Sequence, residues 1–385
     1  MGEAPEDRGA VSGGRVRRTL TRWADAVAGD ELRRLVDRRV QLALDARDAA
    51  SRAAAPAPAA PSPRRGTRES VAAHAARPWL ATGRSVHTRV QSPELRALRR
   101  CHPYTGPVLV QVGEGRPAWM WFDEDDLVAA VTFWFGPNAY ETLSTAVFST
   151  LAARAELVLD VGAHTGIFSL VAGASSPDVV VHAFEVVDRI ARRTRTNVRL
   201  SGLETRVHVH AVGVSSEPGV LTLHHNDAVP LATGSSFERF ADRDAAKGAA
   251  TSEVEVTTLD TWWAAEGRPH VALMKLDVER HESHVLAGAR ELLTAEQPAL
   301  LAEVLSRDDF ATLYALLGER GYTRAWHVDD DAGLAYPVGS DLTYASGAEY
   351  VYRRYHNVLF TGERRAPVAA EAVALLGATG PAPAG

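Results

Sequence analysis

The succession of apolar and amphipathic segments between residues 156 and 362 predicts an α/β fold: a mostly parallel sheet with helices on both faces. Two apolar runs of strand length, ELVLDVGA (156–163) and DVVVHAFEV (178–186), flank a helical pattern at about 166–175. VHVHAVGVS (207–215), VALMKLDV (271–278), ALLAEVL (299–305), YTRAWHV (322–328) and HNVLFTG (356–362) continue the series, with helical patterns between most of them. Continuous apolar strands spaced by helices are buried on both faces, the condition of a parallel sheet. A glycine-bearing turn after the first of these strands is the third sign, because such sheets bind ligands beyond their strand ends at that switch point.

Taken in order, residues 1–14 read as frayed. From about Thr19 to Ala50, Leu32, Leu35, Val36, Val40, Leu42 and Leu44 recur near helical spacing, as a helix that packs on the body or pairs with itself in a homodimer. SRAAAPAPAAPSPRRG (51–66) is a Pro/Ala-rich linker. GPVLVQVGEGRPAWMWFDE alternates around Gly113-Glu114-Gly115 and predicts a β-hairpin at about 107–123. LVAAVTFWF (127–135) is either strand or buried helix, and a helical pattern follows from Ala139 to Ala153. The domain organisation is therefore an N-terminal helical arm and linker (1–66), an extension with the hairpin (67–138), the main body (139–366) and a flexible C-terminal tail (367–385).

The chain has 385 residues, 46% of them apolar and 23% charged, which excludes a wholly disordered protein. Its one cysteine, Cys101, excludes an internal disulfide framework and suits a reducing compartment. No run reaches membrane-span length and the polar start lacks a signal-peptide core, so a soluble cytoplasmic protein without membrane attachment is expected. Residues 1–100 carry a charge of about +9 against about −15 for the rest. That basic arm has neither interleaved aromatics nor a recognition motif, which disfavours nucleic acid as a partner.

The strongest local signal is Asp160-Val161-Gly162-Ala163-His164-Thr165-Gly166, between strand and helix. A dinucleotide fingerprint wants Gly-x-Gly-x-x-Gly, and Ala163 stands at its second glycine, which weakens a nicotinamide-dependent oxidoreductase reading. A sulfonium cofactor bearing an amino acid fits better. Its carboxylate suits the helix N-terminus, and Asp160 can receive its ammonium directly or through water. Glu185, nineteen residues after Gly166, ends the second strand and can accept hydrogen bonds from both ribose hydroxyls. Farther on, MKLDVERHE gathers Asp277, Glu279 and Glu282 at a strand tip, with capping a sufficient role for Glu282 alone.

With these residues in order, the chain resembles the FkbM family of S-adenosylmethionine-dependent methyltransferases, over half its length, from about Tyr140-Glu141 to Asn357. The landmarks are LDVGAHTG, Glu185, Asn197-Val198, Thr258-Leu259-Asp260, MKLDVERHE, VLAGARELL and the Glu303 of LLAEV. One position departs: Arg280 replaces the family's glycine, and arginine enters positive φ less cheaply, so this turn or the substrate it faces is expected to differ. The resemblance implies a class I methyltransferase (Rossmann-like) fold of seven strands in the order 3-2-1-4-5-7-6, strand 7 antiparallel. It implies methyl transfer to a hydroxyl of a sugar or polyketide-type natural product. It assigns Asp160, Gly162 and Gly166 to the methionine portion of S-adenosyl-L-methionine and Glu185 to the ribose, with Ala163, His164 and Asp277 as further cofactor-binding candidates. Tyr140 and Glu141 match a family Tyr-Glu pair that closes over the cofactor, or else pack beneath the sheet.

Transfer to an alcohol needs alignment and a base or a metal. His281 is the first candidate for the base, with Asp277 and Glu279 as alternatives. Asp277, Glu279 and Glu303 are a possible Mg²⁺ site. His281 and His284, three residues apart, offer chelating nitrogens, but the sequence shows no third soft ligand. The polar stretch at about 226–253 is expected to line the acceptor pocket or act as a lid. The competing class is a non-catalytic scaffold with the same fold that binds a partner through its N-terminal arm, against which the acidic strand tip argues.

Overall fold

The computed structural model of the chain describes residues 104–113, 115–123, 125–226, 231, 235–238, 249–340 and 356–376. The expected N-terminal arm, the linker and Cys101 lie outside the described residues.

The hairpin forms as expected. Strands β1 (Gly106–Val110) and β2 (Ala118–Phe122) pair antiparallel, Val108 opposite Met120. The ambiguous run is helix α1 (Leu127–Phe135), started by Asp126, whose carboxylate accepts from the Val128 amide at 2.8 Å. Helix α2 (Thr142–Ala152) follows.

Then come β3 (Leu157–Val161), α3 (Ile167–Ser175), β4 (Val180–Phe184), α4 (Asp188–Leu200) and β5 (Val207–His210). A separate three-stranded sheet is formed by β6 (Gly213–Val214), β7 (Gly219–Asn226) and β8 (Ala249–Thr257). The second half holds α5 (Leu259–Ala265), β9 (Leu273–Leu276), α6 (Glu282–Ala287), α7 (Arg290–Glu296), β10 (Ala299–Val304) and α8 (Arg307–Gly318). It ends with β11 (Tyr322–Asp329), β12 (Leu334–Pro337), β13 (His356–Gly362) and α9 (Ala366–Leu375).

The main sheet runs β12-β11-β13-β10-β9-β3-β4-β5. β10, β9, β3, β4 and β5 are parallel, while β13 is antiparallel to both β10 and β11. Without β12 this is the strand order 3-2-1-4-5-7-6 with an antiparallel seventh strand, the class I methyltransferase fold. β12 is an eighth strand that hairpins onto the edge. Every residue of β3 is buried, as a central parallel strand requires. One face of the sheet packs on α2, α3 and α9, with Phe148, Leu170 and Val373 in its core; the other packs on α5 to α8, with Trp263, Leu286 and Phe310. β3 lies between β4 and β9, so the chain reverses direction across the sheet at its C-terminal end, which places a ligand crevice there.

Three expectations are corrected. The run 207–215 is two strands, because β6 leaves the main sheet and pairs with β8. The stretch at about 226–253 is not all loop: residues 249–253 begin β8, which pairs antiparallel with β7 from Ala249 opposite Asn226 to Val256 opposite Gly219. The tail expected from residue 367 begins instead as α9, with Pro367 in the first turn, where a missing amide hydrogen costs nothing, and with Ala369, Ala372 and Val373 buried. Among the described residues no helix is long and apolar enough to cross a membrane.

Candidate active site

The turn after β3 is built around two glycines that nothing larger replaces. Gly162 has φ +84°, and a Cβ there would lie 1.8 Å from the Asp277 carbonyl oxygen. Gly166 has φ +90°, and its Cβ would meet Thr194 Cγ2 at 2.6 Å. The Gly162 and Ala163 amides donate to the Phe184 carbonyl at 3.0 and 2.9 Å, which ties the turn to the end of β4. α3 then begins after Gly166, which offers its first amides no side-chain cap.

From outside, α4 clamps the same turn. Thr194 Oγ1 donates to the His164 carbonyl, and Asn197 Nδ2 donates to the Thr165 carbonyl at 2.8 Å. Asn197 Oδ1 accepts from the Trp121 amide at 2.7 Å, and Ser201 Oγ accepts from the Trp119 amide at 2.8 Å, so the hairpin hangs on the same helix. Thr194, Asn197 and Ser201 are polar residues at helical spacing on the inner face of an Arg-rich helix. Their spacing is a signal the sequence itself carries.

Glu185 stands opposite the turn. Its Oε2 accepts from the His164 amide at 2.9 Å and its Oε1 from the Val187 amide at 2.8 Å. A carboxylate has about four acceptor positions, so one remains on each oxygen, enough for a vicinal diol. Burial raises its pKa, opposed by His164 and the two amides. Asp160 is oriented otherwise: it is 1% exposed and accepts from Ser169 Oγ at 2.6 Å, supporting the turn from beneath. Burial pushes its carboxyl up to about 6. The structure thus gathers Gly162, Ala163, His164, Gly166 and Glu185 at the end of β3, with Asp160 bracing the turn.

A second group lies on the α2/α3 side of the sheet. Asp160 and Lys275 are cross-strand partners, Lys275 pairs with Leu301, and Glu303 pairs with Asn357. With a side-chain period of two, Asp160, Lys275, Glu303 and Asn357 form a polar row across four strands. The Lys275 ammonium, with 1% of its side chain exposed, donates to Asp277 Oδ2 at 3.0 Å and Asn357 Oδ1 at 3.1 Å. It also lies 5.0 Å from the Phe168 ring centre. Burial pulls its pKa down, but Asp277, Glu141 and Glu303 outweigh that and hold it above its ordinary value.

Glu141, at φ +42° ahead of α2, accepts from Asn357 Nδ2 at 2.8 Å, so the Tyr140-Glu141 pair belongs to this row. Asn357 Nδ2 also donates to Ser144 Oγ at 3.0 Å, and Ser144 Oγ donates to Asp330 Oδ2 at 2.6 Å. Burial and then Glu141 raise Asp330 to about 7. Glu303 Oε2 is buried without a hydrogen-bond partner; burial, then Asp277 and Glu279, hold its pKa well above the carboxylate range. Lys275, Asn357, Ser144 and Asp330 had no role in the sequence reading because four separate segments meet only in the fold.

The possible Mg²⁺ site finds no support. Asp277, Glu279 and Glu303 do not gather into a ligand group among the described residues, and Lys275 already supplies a cation to Asp277. His281 lies in another environment. It is 3% exposed, its Nε2 is 2.9 Å from Ser215 Oγ, and its ring packs against Phe237 and His284. Burial and then His284 lower its pKa to about 4. Glu282 accepts from the Val278 and Arg280 amides, closing the turn as a cap. Arg280 does adopt the left-handed backbone of the glycine it replaces, at φ +73°, next to Glu279 at φ +53°.

The strand order and the glycine turn define the class I methyltransferase fold. Residues 160–324 match the methyltransferase FkbM domain. A 31-O-demethyl-FK506 methyltransferase of Streptomyces tacrolimicus is 29% identical over 191 residues, covering 44% of this chain and 73% of that protein. Among solved structures, an O-methyltransferase from Bacillus cereus in complex with SAH has 11% identity and a TM-score of 0.32 over 57% of this chain and 80% of that one. An rRNA methylase from Streptococcus thermophilus has 12% identity and a TM-score of 0.33 over 57% of this chain and 95% of that one.

Proposed function

We propose that this chain is an S-adenosylmethionine-dependent O-methyltransferase acting on a hydroxyl of a small molecule of the sugar or polyketide type. The observation that carries the reading is Glu185, fixed by two backbone amides from opposite sides with one acceptor position left on each oxygen. The domain family supports the reaction class, and the name of the similar Streptomyces protein, a 31-O-demethyl methyltransferase, supports oxygen as the acceptor.

When bound, the cofactor supplies an electrophilic methyl carbon. The turn from Gly162 through Ala163 and His164 to Gly166, braced by Asp160, would hold its amino-acid end at the start of α3, and Glu185 would hold its ribose. The row beyond β9 and β10 serves the acceptor. Glu303 Oε2, buried and unsatisfied, accepts the hydroxyl proton as the oxygen attacks, with Asp277 and Glu279 beside it. The Lys275 ammonium opposes the rise in the Glu303 pKa. His281, closed in by Ser215, Phe237 and His284, is the less favourable base.

Incubation of the full chain with methyl-labelled cofactor and a panel of hydroxylated metabolites tests the proposal. Label on an acceptor oxygen supports it; transfer only to nitrogen or carbon, or none to any acceptor, contradicts it.

A further inference from the structure

His281 and His284 show no third ligand in the sequence around them, but the fold brings one from forty-three residues upstream of His281. Glu238, on the connection between β7 and β8, reaches the start of α6, and one ligand atom from each of the three residues lies within 4.8 Å of the others. The two imidazoles stack with centroids 4.3 Å apart and planes 6° from parallel. His281 Nδ1 is buried without a hydrogen-bond partner and faces Glu238 Oε1 at 3.6 Å, beyond hydrogen-bond range. Its other nitrogen, Nε2, is 2.9 Å from Ser215 Oγ. When Nε2–H donates to that hydroxyl, Nδ1 turns a lone pair toward the carboxylate. Two acceptors then face each other, an arrangement that a cation resolves.

We propose that Glu238, His281 and His284 form a zinc site that clamps residues 236–238 onto the loop after β9. Two imidazoles and one carboxylate are a donor set Zn²⁺ takes, with water in the fourth position, whereas Mg²⁺ prefers oxygen alone. Ser215 supplies the outer partner that fixes a ligating histidine's tautomer. Zinc bonds of about 2.0–2.2 Å need the donors roughly an ångström closer than the span just given. The exposed His284 and half-buried Glu238 side chains have room to provide that. The clamp would reinforce a contact already present, Ser236 Oγ donating to the Glu279 carbonyl at 2.6 Å. It would thereby fix the turn carrying Glu279. This inference stands apart from the proposed methyl transfer, because its test reads metal and not product.

The test is titration of chelator-stripped full-length protein with Zn²⁺ against a chromophoric competitor, and with Co²⁺ followed by visible absorption. The expected result is one equivalent per chain and the intense bands of four-coordinate cobalt, with affinity reduced at least about tenfold in both His284→Ala and Glu238→Gln. Both substitutions lie at solvent-reached side chains, and matching melting curves of the metal-free proteins confirm that they fold. Failure of the wild-type chain to bind stoichiometrically overturns the proposal. So does unchanged affinity in both variants, which would put the ion elsewhere, as at His224 and His225.

Discussion

The Lys275 ammonium lies 3.0 Å from Asp277 Oδ2, with 1% of the lysine side chain exposed and 26% of the aspartate's. This buried ammonium, paired with a partly exposed carboxylate, is a cation within the polar row and opposes the rise in the Glu303 pKa.

Lys275→Met should therefore be severe. It leaves Asp277 and Asn357 without their donor and removes the cation that offsets Glu141 and Glu303. Removing one partner of a buried pair costs about 3–5 kcal/mol. Urea unfolding should show a loss of that size, and a loss under about 1 kcal/mol would mean that the pair is solvated.

Glu303→Gln keeps the shape and removes the proposed proton acceptor. Turnover should fall about a hundredfold or more, the usual contribution of a general base, with cofactor affinity retained. The wild-type rate should rise with pH, because a base whose pKa is raised ionises only above the ordinary carboxylate range. The variant should lack that limb. Equal turnover in the two proteins would return the role to His281, Asp277 or Glu279.

Asp330 gives a stability signature. Its carboxyl is raised from an ordinary value of 3.8 to about 7 in the folded chain, so between those pH values the folded state binds more protons than the unfolded. Stability then falls as pH rises across that window. Asp330→Asn still accepts from the Leu143 and Ser144 amides, and its melting temperature should depend less on pH there. An unchanged slope would show that Asp330 does not titrate in that range.

Much of the fold was legible in the residues. The apolar runs of β3, β4, β9 and β10 could only be buried strands, and Asp160 through Gly166 could only be a strand-to-helix turn. Periodicity failed where sequence neighbours do not decide the outcome. LVAAVTFWF is equally apolar as strand or helix, and Asp126 at its start is what selects α1. β8 was hidden because most of its residues face solvent, and α9 because Pro367 resembles a breaker although it sits in the first turn. At the site, Glu185 was visible as an acid ending a strand. The row from Asp160 to Asn357 was not, since it depends on register between strands far apart in sequence.

Arg280→Gly tests the departure from the family pattern. A non-glycine residue in the left-handed region costs about 1–2 kcal/mol, partly offset by glycine's greater unfolded-state entropy. The amide of residue 280 keeps its bond to Glu282 in either case. A stability gain of about 0.5–1 kcal/mol is expected in urea. A loss would show that the arginine side chain contributes more than its backbone strain costs.

Calorimetric titration of S-adenosylmethionine into the full chain and into Glu185→Ala bears most directly on the cofactor crevice. The wild-type protein should bind one equivalent, and the variant should bind about tenfold to a hundredfold more weakly, the loss of charge-assisted bonds to a diol. Absence of binding to the wild-type chain, or equal affinity in the variant, would contradict the placement of the cofactor between the glycine turn and Glu185.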